Sequence, residues 1–468
     1  MIRSATELRT IWYMGAKTRL CDEFLNGAVR DLIDPGATIL DACTGTAAVS
    51  RWFAPDYRIL ANDVQLFSVI VARAHLEGGN GWQQALEYLD PEEDLGPVRD
   101  ANLRMLEELA PEALQLEASL LQQIGGQGGT KQLQPPIFDQ YRDLVAQAPV
   151  PDSPQLQAEQ LQEEHGTLHQ PLTAQIPELL KARRADPAGG PAVLCTIYWA
   201  HVYFGLRQAM QIDSLRRAIQ EIPVTDRFQK SKQNLYLAAL IHAVSVCTSG
   251  TSHFAQPRSI EKDAELIAVV RRRLLDIDEQ FEIALDAIRT EWGSSYRHPD
   301  NRVFHGDVHQ LLEKGSRLDQ EQVDLVYLDP PYTADNYSRF YHVLETLVCY
   351  DYPELERRGD MLTKGRYPLQ ESRFRSDFCR ANRVEDAFRR IVQSCHERGA
   401  RLLISYSTDT GLLTRRWSQQ GEQQPAMRLR DLARECYNNV EIREQKLMHS
   451  GQGDSNRAVS ELLLLCED

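Results

Sequence analysis

The feature that most constrains this chain is the stretch of residues 323–332, in which a short apolar run leads into Asp-Pro-Pro-Tyr. The run Leu325–Leu328 contains β-branched and aromatic residues, which predicts a short buried strand. Two consecutive prolines remove two backbone donors and fix φ, so the strand must end after Asp329. Because ligands bind at the carboxyl ends of the strands in open α/β sheets, we expect Asp329 and Tyr332 to lie at a binding edge.

This tetrapeptide suits a flat base that carries an exocyclic amino group. Asp329 and a carbonyl of Pro330 or Pro331 can accept from the two N–H bonds, while the ring of Tyr332 stacks on the base. The alternative is a plain strand followed by a proline turn, which a single tetrapeptide does not exclude. The rest of the sequence has to decide between them.

Composition describes an ordinary globular protein with a strongly acidic balance. The chain has 468 residues, of which 42% are hydrophobic, and its formal net charge is -15. That charge argues against nonspecific nucleic-acid binding by the whole surface, so any such binding needs a local basic groove. The nine cysteines show no Cys-x-x-Cys spacing, which predicts neither a metal site nor a disulfide framework. Without a signal-like amino terminus or a long apolar run, we expect a cytoplasmic protein that does not associate with membranes.

The best candidate for a phosphate-facing surface is the stretch of residues 357–390. It holds ten basic and five acidic residues, a local excess of positive charge in an acidic chain. Such an excess is typical of surfaces that contact nucleic-acid backbones. A merely solvated face remains an equally good interpretation of the same pattern.

Another predicted strand, followed by a turn, lies almost three hundred residues before the Asp-Pro-Pro-Tyr motif. The segment ATILD at residues 37–41 predicts a strand ending in Asp41, and the small residues around Gly45 then open a helix. The next predicted strand ends at Asp63, roughly 20 residues past the start of the turn, where an acid can bind ribose hydroxyls. The turn lacks the three glycines of the dinucleotide fingerprint, which disfavours a pyrophosphate cofactor and leaves adenosine attached to an amino acid as an acceptable ligand.

The order of the elements predicts an α/β fold. Strands alternate with helices, and a further strand is followed by Asp307, so several predicted strands end in acids. This is the pattern of a doubly wound sheet, here interrupted by a large and mostly helical block. The last two apolar segments, joined by SGQGDSN, predict a carboxyl-terminal hairpin.

Taken together, these pieces resemble the Dam-like adenine methyltransferases, the α-type amino-methyltransferases of DNA with an Asp-Pro-Pro-Tyr motif. The matching pieces are YMGAKTRL, ILDACTGTAAVS, ILANDVQLFSVIVARA, VYFGLRQAMQIDSLRRAI, LYLAALIHAVSVCTSGTSHFAQ, HGDVHQL, LDPPY, LLISYS and the closing hairpin with Asn456, Arg457 and Glu461. The resemblance implies a Rossmann-like S-adenosylmethionine-dependent methyltransferase sheet. Residues 1–84 would form its first part, residues 85–298 a mostly helical insertion with the target-recognition region, and residues 299–468 its second part with the catalytic motif.

The resemblance also implies roles for individual residues. The implied cofactor residues are Tyr13 and Lys17 at the methionine end, Asp41 and Gly45 at the turn, Asp63 at the ribose, and Asp307 with the Val308 backbone at the adenine. The implied catalytic residues are Asp329, Pro330, Pro331 and Tyr332, and no metal is needed. The chain departs from the family at Ala47, where a further Gly is usual, and at Cys43, where Phe is frequent. We therefore expect a differently shaped pocket near the amino-acid end of the cofactor.

The implied activity is site-specific transfer of a methyl group from S-adenosylmethionine to N6 of adenine in DNA. An aromatic amino nitrogen is a poor nucleophile, and fixed acceptors on its two N–H bonds make its lone pair available to the methyl group. A base within a duplex cannot reach such a site, so the target has to be flipped out. The acid at the first motif position favours adenine, since the similar cytosine-N4 enzymes more often carry Ser there.

Alternatives remain open at this stage. The nearest is an RNA methyltransferase acting on an adenine or guanine amino group, and another is a catalytically silent nucleic-acid-binding homologue. A dinucleotide oxidoreductase is disfavoured by the glycine-poor turn. The resemblance also implies a restriction-modification or phage-defence setting, with a partner nuclease or other defence subunits, and a monomer or weak oligomer.

Overall fold

The computed structural model describes residues 21–78, 80–125, 135–151, 169, 172–187, 189–251, 253–292, 298–450 and 456–468. The chain forms two compact units. The first comprises Gly81–Ser294 and Arg339–Arg373, and the second comprises the described residues up to Asn80 together with Ser295–Ser338 and Phe374–Asp468. Arg339–Arg373 therefore groups with the helical unit rather than with the residues around it in sequence. The functional division into residues 1–84, 85–298 and 299–468 stays a prediction.

The second unit is built on a mixed β-sheet, and a two-stranded ribbon lies in the first unit. The strands are β1 (Thr38–Asp41), β2 (Arg58–Asp63), β3 (Arg302–His305), β4 (Leu325–Leu328), β5 (Arg357–Arg358), β6 (Met361–Leu362), β7 (Arg401–Ser407), β8 (Asn439–Ser450) and β9 (Asn456–Glu467). The sheet order is β3-β2-β1-β4-β7-β9-β8, and β5 pairs with β6. Neighbouring strands run parallel from β3 to β7, whereas β9 is antiparallel to both β7 and β8. The predicted α/β Rossmann-like fold and the carboxyl-terminal hairpin are confirmed.

Helices make up most of the remaining described structure. In chain order they are α1 (Asn26–Leu32), α2 (Ala48–Phe53), α3 (Leu66–Leu76), α4 (Asn80–Glu87), α5 (Pro91–Leu109), α6 (Pro111–Gly125), α7 (Pro135–Ala146), α8 (Leu172–Ala185), α9 (Leu194–Tyr198), α10 (Leu206–Glu221), α11 (Arg227–Cys247), α12 (Asp263–Arg273), α13 (Ile277–Ala287), α14 (Val308–Leu312), α15 (Tyr337–Phe340), α16 (His342–Cys349), α17 (Val384–Glu397), α18 (Leu412–Gln419) and α19 (Pro425–Ala433). Among the described helices, none combines the length and apolar character that crossing a bilayer requires.

The central strands are apolar because the sheet is covered on both faces. Every residue of β1 and β4 is buried, and such continuous apolar runs are typical of parallel strands under helices. On one face α14, α17, α18 and α19 contribute to a core that includes Leu40, Val326 and Leu402. On the other face α1, α2 and α3 contribute to a second core that includes Ile39 and Leu403. Because helices cover both faces of the sheet, a ligand can reach it only at the ends of the strands.

Two stretches of the chain each form a pair of helices with a short break. In the first, α12 ends at Arg273 and α13 begins at Ile277. The break occurs because the side chain of Asp276 accepts from the backbone N–H of Glu279 and starts a new helix. In the second, α15 ends at Phe340 and α16 begins at His342, with non-helical backbone at Tyr341 between them.

Part of the basic excess of residues 357–390 is engaged by other groups of the protein. Arg366 is buried and donates to the carbonyls of Ile197 and Tyr198. Four further arginines pair with acids, among them Arg373 with Glu356 in the first unit and Arg390 with Asp377 in the second. The stretch is also divided between the two units at residue 373. These contacts weaken the interpretation of the stretch as one phosphate-facing surface.

Candidate active site

A cleft lies within the second unit at the carboxyl ends of four neighbouring parallel strands. The ends of β1, β2, β3 and β4 contribute residues 41–46, 62–65, 306–308 and 329–332 to its lining. Its empty space is about 1110 Å³, open solvent at the mouth included. A cleft of this size at the strand ends is the usual binding site of a doubly wound sheet.

The predicted site residues that the structure describes all line this cleft. They are Asp41, Gly45, Asp63, Asp307, Val308, Asp329, Pro330, Pro331 and Tyr332. The register explains why, since Asp41 pairs with Ala61 of β2 and Tyr327 of β4, and Asp63 pairs with His305 of β3. Tyr13 and Lys17 lie outside the described residues. The roles of all these residues stay predictions.

The turn after β1 uses two left-handed backbone positions. Gly45 has φ of 53° and Ala47 has φ of 59°. The glycine accepts this conformation at little cost, whereas an alanine is strained by about 1–2 kcal/mol. The strained position is therefore the one where the family usually carries Gly. Thr44 holds the turn to β2, because its backbone N–H donates to the carbonyl of Asn62 at 2.9 Å.

Asp41 is a buried carboxyl group at the end of β1. Its Oδ2 accepts from the hydroxyls of Ser50 at 2.6 Å and Thr44 at 3.1 Å, while its Oδ1 has no hydrogen-bond partner in the described part of the chain. Burial raises the pKa of Asp41 from 3.8 to about 6 despite these two hydrogen bonds, and the nearby Asp63 carboxylate adds to the rise. Burial in the cleft thus opposes the charged form of this carboxyl group.

Asp63 organises the turn from the end of β2. Its Oδ2 accepts from the backbone N–H of Gly45 and its Oδ1 from that of Gln65, both at 2.9 Å. Burial nevertheless raises its pKa above the ordinary value, because desolvation outweighs these backbone donors. The acid thus fixes the small-residue turn whose backbone forms one wall of the cleft.

The strand end at Asp307 is held by an asparagine that the sequence reasoning missed. Asp307 caps α14, since its Oδ1 accepts from the backbone N–H of His309 at 2.9 Å. Asn62 donates through Nδ2 to the carbonyls of Ala42 and Gly306, each at 3.1 Å. It therefore joins the ends of β1 and β3. Its only signal in the sequence is its position immediately before Asp63.

Tyr332 lines the cleft next to the carboxylate of Asp329. Its hydroxyl donates to Oε1 of Glu461 and lies 3.2 Å from Oγ of Ser405. Burial, followed by the carboxylates of Asp329 and Glu461, raises the pKa of Tyr332 well above its ordinary value. The phenol therefore stays protonated and acts as a donor.

Another part of the lining comes from residues that no local signal identified. They are Asn336, Tyr337, Ser338, Phe374, Ser376, Phe378 and Cys379. The hydroxyl of Ser338 donates to the carbonyl of Phe374 at 2.8 Å, which joins two segments that are 36 residues apart. The side chain of Phe374 is 38% exposed although it lines the cleft. Only the tertiary fold brings these residues beside the Asp-Pro-Pro-Tyr turn.

The cleft is strongly acidic. Asp41, Asp63, Asp307 and Asp329 line it, and no lysine, arginine or histidine is among its described lining residues. Burial, followed by the same carboxylates, raises the pKa of Cys43 well above its ordinary value, so this thiol is not an activated nucleophile. Such a cleft attracts a cationic ligand and repels phosphates. No group of side chains suited to a metal ion occurs among the described residues.

Comparison with known proteins agrees with this geometry. Residues 301–403 match the family model of the D12 class N6 adenine-specific DNA methyltransferases. That segment contains β3, β4, Asp307 and the whole Asp-Pro-Pro-Tyr motif. This match supports a Dam-like family for the chain. The acids of the Dam-like motifs meet at one edge of the sheet in the structure.

Curated proteins similar to this chain are modification enzymes by name. The type II methyltransferase M.FokI of Planomicrobium okeanokoites is 23% identical over 403 residues, which cover 86% of this chain and 45% of that protein. The modification methylase LlaI of Lactococcus lactis subsp. lactis is 22% identical over 402 residues, or 85% of this chain and 46% of that protein. The type II methyltransferase M.NlaIII of Neisseria lactamica is 26% identical over 192 residues, 41% of this chain and 47% of that protein. The chain thus spans about half the length of these relatives.

Proposed function

We propose that the protein is an S-adenosylmethionine-dependent DNA methyltransferase that modifies N6 of adenine. The observation that carries this proposal is the acidic cleft in which Asp41, Asp63 and Asp307 adjoin the Asp329–Tyr332 turn. The first three acids suit the donor, and the turn suits a flat base with an amino group. The Dam-like family and the names of its relatives support DNA as the substrate.

The residues of the cleft fit S-adenosylmethionine. This molecule supplies an electrophilic methyl group on a cationic sulfur, and its amino group is also positive. A cleft with four carboxylates favours such a ligand, and the unpartnered Oδ1 of the buried Asp41 is suited to accept a donor from it. The small residues around Gly45 let adenosine approach the backbone, and Asp63 is placed for ribose hydroxyls.

The catalytic turn acts by orientation and electrostatics. Asp329 and a carbonyl of Pro330 or Pro331 accept the two hydrogens of the adenine amino group, which directs its lone pair towards the methyl group. The double proline stiffens the turn, so these acceptors need little rearrangement when positive charge develops on the base. Tyr332 stacks on the flipped base and replaces part of the stacking lost from the duplex. The Asp329 carboxylate is also suited to stabilise the positively charged methylated amino group until that group releases its extra proton to water.

Labelled methyl transfer tests the proposal. Purified protein is incubated with S-adenosylmethionine carrying a tritiated methyl group and with either genomic duplex DNA or total RNA. We expect label on DNA, and Asp329→Asn should lower the single-turnover rate at least ~100-fold because one fixed acceptor is lost from the transition state. Asp335→Asn is the matched control, since this exposed acid three residues beyond Tyr332 does not line the cleft.

The outcomes separate the alternatives. Label on RNA alone would reject the DNA assignment and favour the RNA methyltransferase. Absence of label from both substrates, with the cofactor still bound in calorimetry, would favour a catalytically silent homologue. A restriction-modification setting, with a partner nuclease, is part of the same proposal and rests on the names of the relatives.

A further inference from the structure

A buried polar network lies behind the catalytic tyrosine. The hydroxyl of Tyr332 donates to Oε1 of Glu461, and Ser405 donates through Oγ to the same oxygen at 2.7 Å. Ser405 is 0% exposed and Glu461 is 4% exposed. These two residues lie on the adjacent strands β7 and β9. The sheet therefore holds the buried carboxylate of Glu461 against the hydroxyl of Tyr332.

Two more contacts fix the same side chain and its backbone. The carbonyl of Tyr332 accepts from the backbone N–H of Leu412 at 2.6 Å. The rings of Tyr332 and Tyr406 meet edge to face, with centroids 5.0 Å apart and an interplanar angle of 68°. The backbone, the ring and the hydroxyl of Tyr332 therefore each contact a residue of β7, α18 or β9. The ring can line the cleft without the freedom to rotate that an exposed tyrosine has.

We propose that Glu461 is a positioning residue for methyl transfer, because it and Ser405 hold the hydroxyl of Tyr332 and so fix the ring on which the target base stacks. The inference rests on the proposed function. A base that stacks on an immobile ring stays in line with the methyl group for a larger fraction of the time. Donation of the phenol hydrogen to a carboxylate also makes the ring richer in electrons, which strengthens its attraction for the positive charge that the base gains.

The first test is Glu461→Gln, which keeps the size of the side chain and a hydrogen-bond acceptor but removes the negative charge. We expect the single-turnover methylation rate to fall about tenfold, equivalent to ~1.4 kcal/mol of activation free energy. The KM for S-adenosylmethionine should change less than about twofold, because the network lies behind the base-binding turn. Duplex DNA with 2-aminopurine at the target adenine then reports flipping by its fluorescence, and its flipped population should decrease as well.

A double-mutant cycle distinguishes positioning from a general structural role. If Glu461 acts through the phenol hydroxyl, Glu461→Gln should slow Tyr332→Phe little further, so the double variant should be about as slow as the slower single variant. Ser405→Ala should show a smaller loss of rate and provides a second test if Glu461→Gln does not fold. Ser407→Ala is the matched control because Ser407 is equally buried on the same strand, but its hydroxyl contacts Thr410.

Each result decides the matter. Wild-type rates in both Glu461→Gln and Ser405→Ala, or rate losses that multiply in the double variant, would overturn the positioning role while leaving the proposed function intact. An equal loss in Ser407→Ala would show that the effect is a general disturbance of β7. If the wild-type protein labels no nucleic acid, both the proposed function and the positioning role are rejected.

Discussion

Replacement of Asp41 by Asn should change how the stability of the protein depends on pH. The folded-state pKa of Asp41 is about 6, against 3.8 for an ordinary aspartate, because the carboxyl is buried. A group whose pKa is raised by folding stabilises the fold while it is protonated and loses that contribution as pH rises through the folded pKa. The difference of about 2 pH units corresponds to ~3 kcal/mol, lost between about pH 4 and pH 7. Asn cannot ionise, so it carries no such loss.

Urea unfolding of both proteins, followed by tryptophan fluorescence, measures this effect. The free energy of unfolding of Asp41→Asn minus that of the wild type should increase by ~3 kcal/mol between about pH 4 and pH 7. Taking the difference cancels the contributions of titrating groups that do not interact with Asp41. If the difference in free energy of unfolding stays constant over this pH range, burial does not raise the pKa of Asp41.

The same carboxyl should couple cofactor binding to pH. A cationic ligand in the cleft favours ionised Asp41, so binding near pH 6 should release a proton and affinity should increase as pH rises through about 6. Calorimetry in buffers of different ionisation enthalpy measures the released proton directly. Asp41→Asn should bind more weakly and release fewer protons, and equal release by the two proteins would contradict the coupling.

Three further substitutions test the turn and the core. Ala47→Gly should change the free energy of unfolding by less than ~1 kcal/mol, because relief of left-handed strain offsets the lost methyl group and the added chain entropy. The control Ala72→Gly, at an equally buried position inside α3, should cost about 2 kcal/mol in the same urea assay. Equal losses of stability in the two variants would contradict backbone strain at Ala47. Asp63→Asn should weaken cofactor binding at least about tenfold in calorimetry, since an amide has one acceptor oxygen for two backbone donors, and unchanged affinity would remove Asp63 from the site. Leu402→Ala at the sheet centre should cost about 2–5 kcal/mol on urea unfolding, and a loss below ~1 kcal/mol would contradict its burial.

The sheet and its acidic edge could be predicted because their signals are local. Apolar runs that lead into Asp41, Asp63 and Asp329 predict both the strands and the acids at their carboxyl ends. Parallel pairing then brings such ends together without any knowledge of side-chain packing. The closing hairpin was predictable for the same reason, as two apolar segments flank a Gly-rich connection.

What the sequence did not reveal depends on contacts between distant segments. Glu461 and Tyr332 are 129 residues apart in the chain, and no pattern in either segment predicts their contact. Phe374 reaches the cleft through a comparable long-range approach, and Arg366 proved to be buried against carbonyl groups rather than exposed. The break between α12 and α13 at residues 274–276 depends on a single side chain, since Asp276 caps the second helix.

The most direct test of the proposed function identifies the modified nucleoside. Duplex DNA is methylated with tritiated S-adenosylmethionine, digested completely to nucleosides and separated by chromatography with mass detection. We predict that the label travels with N6-methyldeoxyadenosine and that Asp329→Asn removes it while the cofactor still binds. Label on a methylated cytosine, or equal amounts of N6-methyldeoxyadenosine from wild type and Asp329→Asn, would contradict the roles proposed for the Asp329–Tyr332 turn.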